Sequence, residues 1–400
     1  MPTAQPAVEF DGFHRVELPA RLAATDDGAA AAGQLGPGRS LSFRLPDGRA
    51  FTYRTHAQRV TVEPGDDAPL VVEVDADAFA DLVTERWSIF GLLYPGRLRV
   101  AAGGFDEFAM WEPALQSLWF HRPLYDDAAA SSLRDRDGQP LDVRRSFRFA
   151  AADDAEVAHF LRTAGFVVLR EVFAPAEIAL LDAEVQRLRA TATPADNRSW
   201  WATDAAGREV CCRLTYCSER SAHIGALHED ERLRRIASWH GAPLRPSPDR
   251  LDGYSVVIKN PEVVQGLSDL PWHRDCGMGG HAVLCPSLSI GIQIDAASAA
   301  NGQLVFLAGS HEHANLPTDV DAHPNWPVVA VETQPGDVTV HYAHVMHGAP
   351  PPTSPSAGRR VLYVGFKSPA VFDMIPPGKG YNDVVFSQGD GRVRSVDELV

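Results

Sequence analysis

Residues 336–366 read GDVTVHYAHVMHGAPPPTSPSAGRRVLYVGF. Two runs rich in β-branched and aromatic residues, Asp337–His341 and Arg359–Phe366, flank a segment broken by Gly and Pro, so the stretch predicts two strands joined by a loop. Working back along the chain, Pro327–Glu332, Gln303–Leu307, Ser287–Asp295 and Tyr254–Lys259 carry the same signal. Short strands at this spacing predict a sandwich or barrel.

Within that frame, Trp272-His273-Arg274-Asp275 is the sharpest chemical signal. In an extended segment residues i and i+2 share a face, so His273 and Asp275 can reach one point together. A second histidine returning from a distant strand would complete a 2-His-1-carboxylate set, which leaves three coordination positions open on Fe(II). His347 lies 72 positions after Asp275, enough chain for several crossing strands. His341 and His344 are neighbours that compete for the same role, and strand parity does not separate His341 from His347. The His-Gly context and the twelve positions from His347 to Arg359 favour His347. An Arg at the base of such a cavity binds a carboxylate through two parallel N–H bonds. Lys259, ending the strand before the H-x-D segment, is a candidate helper.

Taken together these residues resemble the phytanoyl-CoA dioxygenase family of Fe(II)/2-oxoglutarate oxygenases. The resemblance spans roughly 153–370: the opening helix and strand (HFLRTAGFVVLREVF), PWHRD, Asn301-Gly302-Gln303-Leu304, Ala308-Gly309-Ser310-His311, GDVTVHYAHVMHG and RRVLYV. It implies a double-stranded β-helix, or jelly roll, with flanking helices. It implies iron held by His273, Asp275 and His347, with 2-oxoglutarate as cosubstrate and O2 as oxidant. Arg359 would clamp the distal carboxylate. Ala349 stands where the family often has Ser, and Pro351 to Pro355 replaces a shorter Asn-x-Ser, which leaves Arg360 open as the alternative clamp. The carboxylate at 275 implies hydroxylation, or desaturation or ring formation, rather than halogenation, which needs that position vacant.

Upstream, Leu41–Leu45 and Ala50–Tyr53 around Pro46-Asp47-Gly48 predict a hairpin, and Leu70–Val74 a further strand. Asp77 is placed to cap a helix bearing Phe79, Leu82, Val83 and Trp87. The stretch VVEVDADAFADLVTERWSIFGLLYPGRLRVAAGGFDEFAMWEPALQSL resembles a sterol-carrier-protein-2-like α+β domain. Its aromatics either fill a core or line an apolar groove. The expected organisation is a lead-in at 1–39, the α+β domain at 40–122, a linker at 123–150, the oxygenase domain at 151–370 and a tail at 371–400.

Lys and Arg number 37 against 52 Asp and Glu, a formal net charge of −15. Such acidity argues against nucleic acid as a partner, because like charges repel. No apolar run is long enough for a membrane span, and no signal peptide is evident. Five Cys without a paired CxxC point to reduced thiols in the cytosol. The expected function is a cytoplasmic 2-oxoglutarate-dependent dioxygenase acting on a small, apolar or natural-product-like molecule, with succinate and CO2 released. The alternative is a lipid carrier with a relic barrel. Sequence leaves the oligomeric state open.

Overall fold

The computed structural model describes residues 8–93, 95–251, 253–261, 263, 270–275, 286–314, 320–354, 356–375, 378, 380–387 and 389–392. Cys276, Cys285 and His281 lie outside the described residues. The described chain is α+β, with eighteen strands in three sheets.

The first sheet takes Ser40–Arg44 (β1), Ala50–Thr55 (β2), Val60–Pro64 (β3), Leu70–Val74 (β4) and Leu98–Ala102 (β5) in the order β3-β2-β1-β4-β5. Only β1 and β4 run parallel, Leu41 facing Leu70. The turn at Asp47-Gly48 closes the β1–β2 hairpin, with Gly48 at φ 88°. Helices Ala76–Val83 and Phe105–Phe120 cover the sheet, the first capped by Asp75, whose carboxylate accepts from Ala78 N–H at 2.6 Å. Asp75, rather than the expected Asp77, is the cap because the helix begins two residues earlier. Phe43, Phe79, Phe108, Trp111 and Trp119 are buried together, so these aromatics pack a core. The cavity bounded by Leu82, Trp87, Ile89, Leu115 and Trp119 measures about 20 Å³, room for one water.

Residues expected to be a loose lead-in are helical over Phe10–Gly12, Leu18–Ala24 and Asp27–Leu35. Phe10, Phe13, Leu18, Ala31 and Ala32 enter the same core. Their Ala- and Gly-rich composition masked this, because close packing of small side chains leaves little apolar periodicity to read.

The remaining strands are Phe147–Arg148 (β6), Phe166–Arg170 (β7), Ser199–Thr203 (β8), Glu209–Leu214 (β9), Arg245–Pro246 (β10), Tyr254–Lys259 (β11), Leu270–His273 (β12), Ser287–Gln293 (β13), Val305–Leu307 (β14), Val328–Ala330 (β15), Val338–Tyr342 (β16), His347–Ala349 (β17) and Arg359–Lys367 (β18). The larger sheet runs β6-β7-β16-β13-β18-β11-β9-β8, with β10 on β18, and the smaller runs β12-β17-β14-β15. From β11 to β18 the chain steps between the two sheets, placing β11, β18, β13 and β16 in one and β12, β17, β14 and β15 in the other. That is the double-stranded β-helix the family resemblance implied, and one form of the sandwich or barrel expected from the strand spacing.

Alternation sorts the larger sheet into two faces. Val256, Ile258, Leu288, Ile290, Ile292, Val338, Val340, Leu362 and Val364 join Val157, Phe160, Leu161, Leu181, Val185, Leu233 and Ile236 of the helices in one apolar cluster. Each such fully buried aliphatic side chain contributes about 1.5–3 kcal/mol. The other face carries Ser255, Lys259, Arg359, Tyr363, Gln293, Thr339 and His341, a polar set turned toward the smaller sheet. The segment expected as a linker follows the barrel, with Tyr125 Oη donating to Ala308 O at 2.7 Å. No helix among the described residues is long and apolar enough to cross a membrane. Cys211, Cys212 and Cys217 are buried free thiols.

Candidate metal centre

β12 and β17 pair antiparallel with His273 directly opposite His347. Facing residues on one side of a ladder bring their side chains together, and the two imidazole centroids stand 4.3 Å apart. Asp275 lies just past the end of β12. Its backbone N–H donates to Ala343 O at 2.7 Å, which ties the ligand segment to the turn between β16 and β17. Asp275 Oδ1 is 3.8 Å from His273 Nε2 and 3.7 Å from His347 Nε2. One ligand atom from each of the three residues falls within 4.8 Å of the others.

Arg274 points the other way, as alternation requires. It is buried, and its Nη2 donates to Ser310 O and His313 O, each at 2.8 Å. The residue between the two ligands therefore pins the segment to the loop after β14. Trp272, on the same side as Arg274, packs near Tyr125, Leu307 and Met346.

His347 Nδ1 donates to Val345 O at 3.0 Å, so Nε2 is the lone-pair nitrogen facing Asp275. Burial pushes the His347 pKa down to about 3, which keeps the ring neutral, the form a metal requires. Desolvation works to raise the Asp275 pKa, but the surrounding His347, His341 and His273 outweigh it and hold the carboxyl below its usual range. An ionised carboxylate beside two imidazoles, with no fourth protein donor in the set among the described residues, suits a ferrous ion with open positions.

His341 enters from β16, on the opposite sheet, and donates from Nε2 to Asp275 Oδ2 at 3.3 Å. The carboxylate is thereby divided: Oδ2 toward His341, Oδ1 toward the two facing imidazoles. His344 turns away to a cluster with His311 and Tyr342. Strand parity could not separate His341 from His347 because the chain turns between them and changes sheets.

Deeper in the barrel, Lys259 of β11 and Arg359 of β18 are direct cross-strand partners. Both are buried, at 1% and 4% exposure. Like charges facing each other across a ladder destabilise it unless an anion intervenes. Arg359 Nε donates to Gly302 O at 2.9 Å, and the guanidinium contacts the Tyr363 hydroxyl. Burial lowers the Arg359 pKa. Lys259 Nζ donates to the carbonyls of Ala349 and Pro350. Arg360 is the correction among the expected site residues. It faces the outer side of β18, where Asp295 grips it at 2.8 Å and Asp182 adds a second contact. Gln293 is engaged within the wall, its Nε2 donating to Thr339 Oγ1 at 3.2 Å. Tyr363 was missed, although its offset of four from Arg359 puts it on the same strand face.

The sequence profile of the phytanoyl-CoA dioxygenase (PhyH) family matches residues 161–361, half of the chain. The chain belongs to the PhyH family. PhyH enzymes are non-haem iron, 2-oxoglutarate-dependent oxygenases, and the His-Asp-His cluster here fits an iron site. No curated protein matches the chain. Many solved structures resemble part of it, three of them as follows. AviO1 from Streptomyces viridochromogenes Tue57 is 28% identical over 55% of this chain and 96% of its own, with a TM-score of 0.44. The 2-oxoglutarate-dependent carbocyclase SnoK from nogalamycin biosynthesis is 19% identical over 56% and 87%, with a TM-score of 0.44. EctD from S. alaskensis with bound Fe is 18% identical over 62% and 84%, with a TM-score of 0.45. The PhyH match takes in β7 through the start of β18, and so Lys259, His273, Asp275, His341, His347 and Arg359.

Proposed function

We propose that this chain is a dioxygenase that couples decarboxylation of 2-oxoglutarate to oxidation of an unactivated C–H bond in a small molecule, most simply its hydroxylation. The convergence of His273, Asp275 and His347 ligand atoms within 4.8 Å carries the reading. These three residues hold the iron, and Arg359 with Lys259 holds the distal carboxylate of 2-oxoglutarate. When bound, the iron supplies oxidation of a C–H bond by O2 at the cost of the cosubstrate, which leaves as succinate and CO2.

The chain's own groups do the positioning. The His347–Val345 hydrogen bond fixes the tautomer and the aim of the ring. His341 occupies one carboxylate oxygen of Asp275 and leaves the other for the metal. Phe306, stacked at 4.6 Å on Phe166 and packed against the rings of His341 and His347, closes the inner side against water. Lys259 supplies a second cation where the family's serine hydroxyl is absent at 349.

For the front unit, the run of four strands, a capped helix, a fifth strand and a long helix supports the sterol-carrier-protein-2-like reading of about residues 40–122. We place the oxygenase domain at 151–370, a connecting segment at 123–150 and a C-terminal segment at 371–400.

Anaerobically reconstituted protein, given Fe(II), 2-oxoglutarate and then O2, is expected to form succinate. Asp275→Ala is expected to lower that rate at least a hundredfold. Succinate formation at the wild-type rate in this variant refutes the ligand set. Absence of succinate from wild type, with fatty-acid binding by the front unit, favours the carrier alternative.

A further inference from the structure

The inner face of the larger sheet carries a third cation that the reaction as described leaves unused. Arg213 of β9 faces Val257 of β11, on the side shared by Ser255 and Lys259. Its Nη2 donates to Ser255 Oγ at 3.0 Å. Ser255 lies opposite Tyr363, whose ring is 6.4 Å from that of His341, the residue bonded to Asp275. Arg213 thus stands on the wall of the same chamber, two strands beyond Tyr363, or about 10 Å at ordinary strand spacing. Trp200 at 4.9 Å and Tyr381 at 5.9 Å lie against its guanidinium and fix its direction.

Two observations mark it as a receptor. Its Nε is buried with no hydrogen-bond partner, a state that costs about 1–3 kcal/mol unless a ligand supplies the acceptor. Among the described residues it forms no ion pair, whereas Arg360, on the outer face, is held by Asp295 and Asp182. The charge of the whole chamber agrees. Of the described groups facing it, Asp275 is the only acid, against Lys259, Arg359 and Arg213. With ferrous iron and the 2-oxoglutarate dianion in place, two positive charges remain uncompensated. A chamber of that kind attracts an anion and repels a cation.

We infer that Arg213 binds an acidic group, a carboxylate, phosphate or sulfate, on the molecule that is oxidised. The inference rests on the oxygenase reading and gives it a substrate class. That class differs from the apolar molecule expected from the front unit, and Ser255, Tyr363, Gln293 and Thr339 supply the polar wall it needs.

Isothermal titration of the anaerobic Fe(II)-loaded protein, saturated with 2-oxoglutarate so that the Lys259–Arg359 pair is filled, tests it with sulfate, phosphate and acetate as probes. Wild type is expected to bind at least one of these anions at a single site. Arg213→Met should weaken it at least tenfold, and Arg213→Lys should restore part of the loss. Tighter phosphate or sulfate points to a phosphorylated or sulfated substrate, tighter acetate to a carboxylate. No binding of any probe to wild type, or equal binding in Arg213→Met of unchanged thermal midpoint, overturns the inference. Failure to load Fe(II) or 2-oxoglutarate at all would instead sink the oxygenase reading.

Discussion

At the scale of single residues, the division of the Asp275 carboxylate is the feature with the most chemical consequence. A carboxylate free at both oxygens can take two positions on a metal and leave one fewer for cosubstrate and O2. His341, at 3.3 Å from Oδ2, opposes that. Its contribution is separable from packing, because a side chain that fills the same space without a donor lacks the effect. His341→Phe is expected to weaken Fe(II) binding about tenfold or more, in line with losses of hydrogen-bonding partners behind metal ligands. His341→Gln, which keeps a donor, should stay within about threefold. Equilibrium dialysis with Fe(II) under anaerobic conditions reads this without turnover, and equal affinities for wild type and the Phe variant would show that Oδ2 needs no partner. His341 was visible in the sequence only as a rival ligand. Its actual relation to Asp275 depends on two sheets meeting, which spacing along one strand cannot encode.

The elements show where reading the chain succeeds and where it fails. β11, β13, β14, β15, β16 and β18 were legible, because each has β-branched runs bounded by Gly, Pro or Asn. β9 and β17 were not: EVCCRL mixes charge with thiols, and HGA is three residues long. Arg213 rides on β9, so its place in the chamber had no signal. The H-x-D segment and His347 were legible from chemistry rather than from strand propensity. Arg359 was separated from Arg360 only by the register that sets Lys259 opposite it. The turn before β14 ties these strands to function. Gly302 has φ 66°, and an added Cβ would stand 2.3 Å from Pro350 O and 2.7 Å from Lys259 Nζ. Asn301 holds the turn, its Nδ2 donating to Ala296 O at 2.7 Å. Gly302→Ala therefore has to displace the lysine or the loop that it bonds. We expect a loss of about 1–3 kcal/mol in stability and at least tenfold weaker 2-oxoglutarate binding, with Fe(II) affinity within twofold of wild type. Gly138→Ala is the control, since Gly138 has φ 79° but open space around it. Calorimetric titration of 2-oxoglutarate into both variants decides the point. Unchanged affinity in Gly302→Ala would detach Lys259 from the cosubstrate.

Across the whole molecule, the apolar residues fall into two large clusters with no member in common, one spanning Phe10 to Trp119 and the other Phe147 to Phe366. The first contains a single buried histidine. His14 stacks on Phe51 with centroids 4.3 Å apart. Its Nδ1 donates to Phe10 O at 2.7 Å, and Nε2 accepts from Tyr53 Oη at 3.0 Å, the same oxygen that accepts from Trp119 Nε1. Both ring nitrogens are satisfied only in the neutral form, and burial lowers the pKa to about 4. The unfolded chain titrates near 6.5, so between pH 6.5 and 4 it binds more protons than the folded one. Stability from this group is therefore complete above pH 6.5 and declines as the pH falls toward 4, by up to about 3 kcal/mol. The barrel also loses stability in acid, through His311, whose pKa burial lowers to about 4, so the raw slope of wild type does not isolate His14. The difference from His14→Gln does. Urea denaturation of both full-length proteins at pH 7.5, 5.5 and 4.5 should show the wild-type advantage shrinking with each step. An advantage that stays constant over this range would mean that folding leaves the His14 pKa unshifted, and one that grows between pH 7.5 and 5.5 would mean that the ring is charged in the folded state and donates to Tyr53.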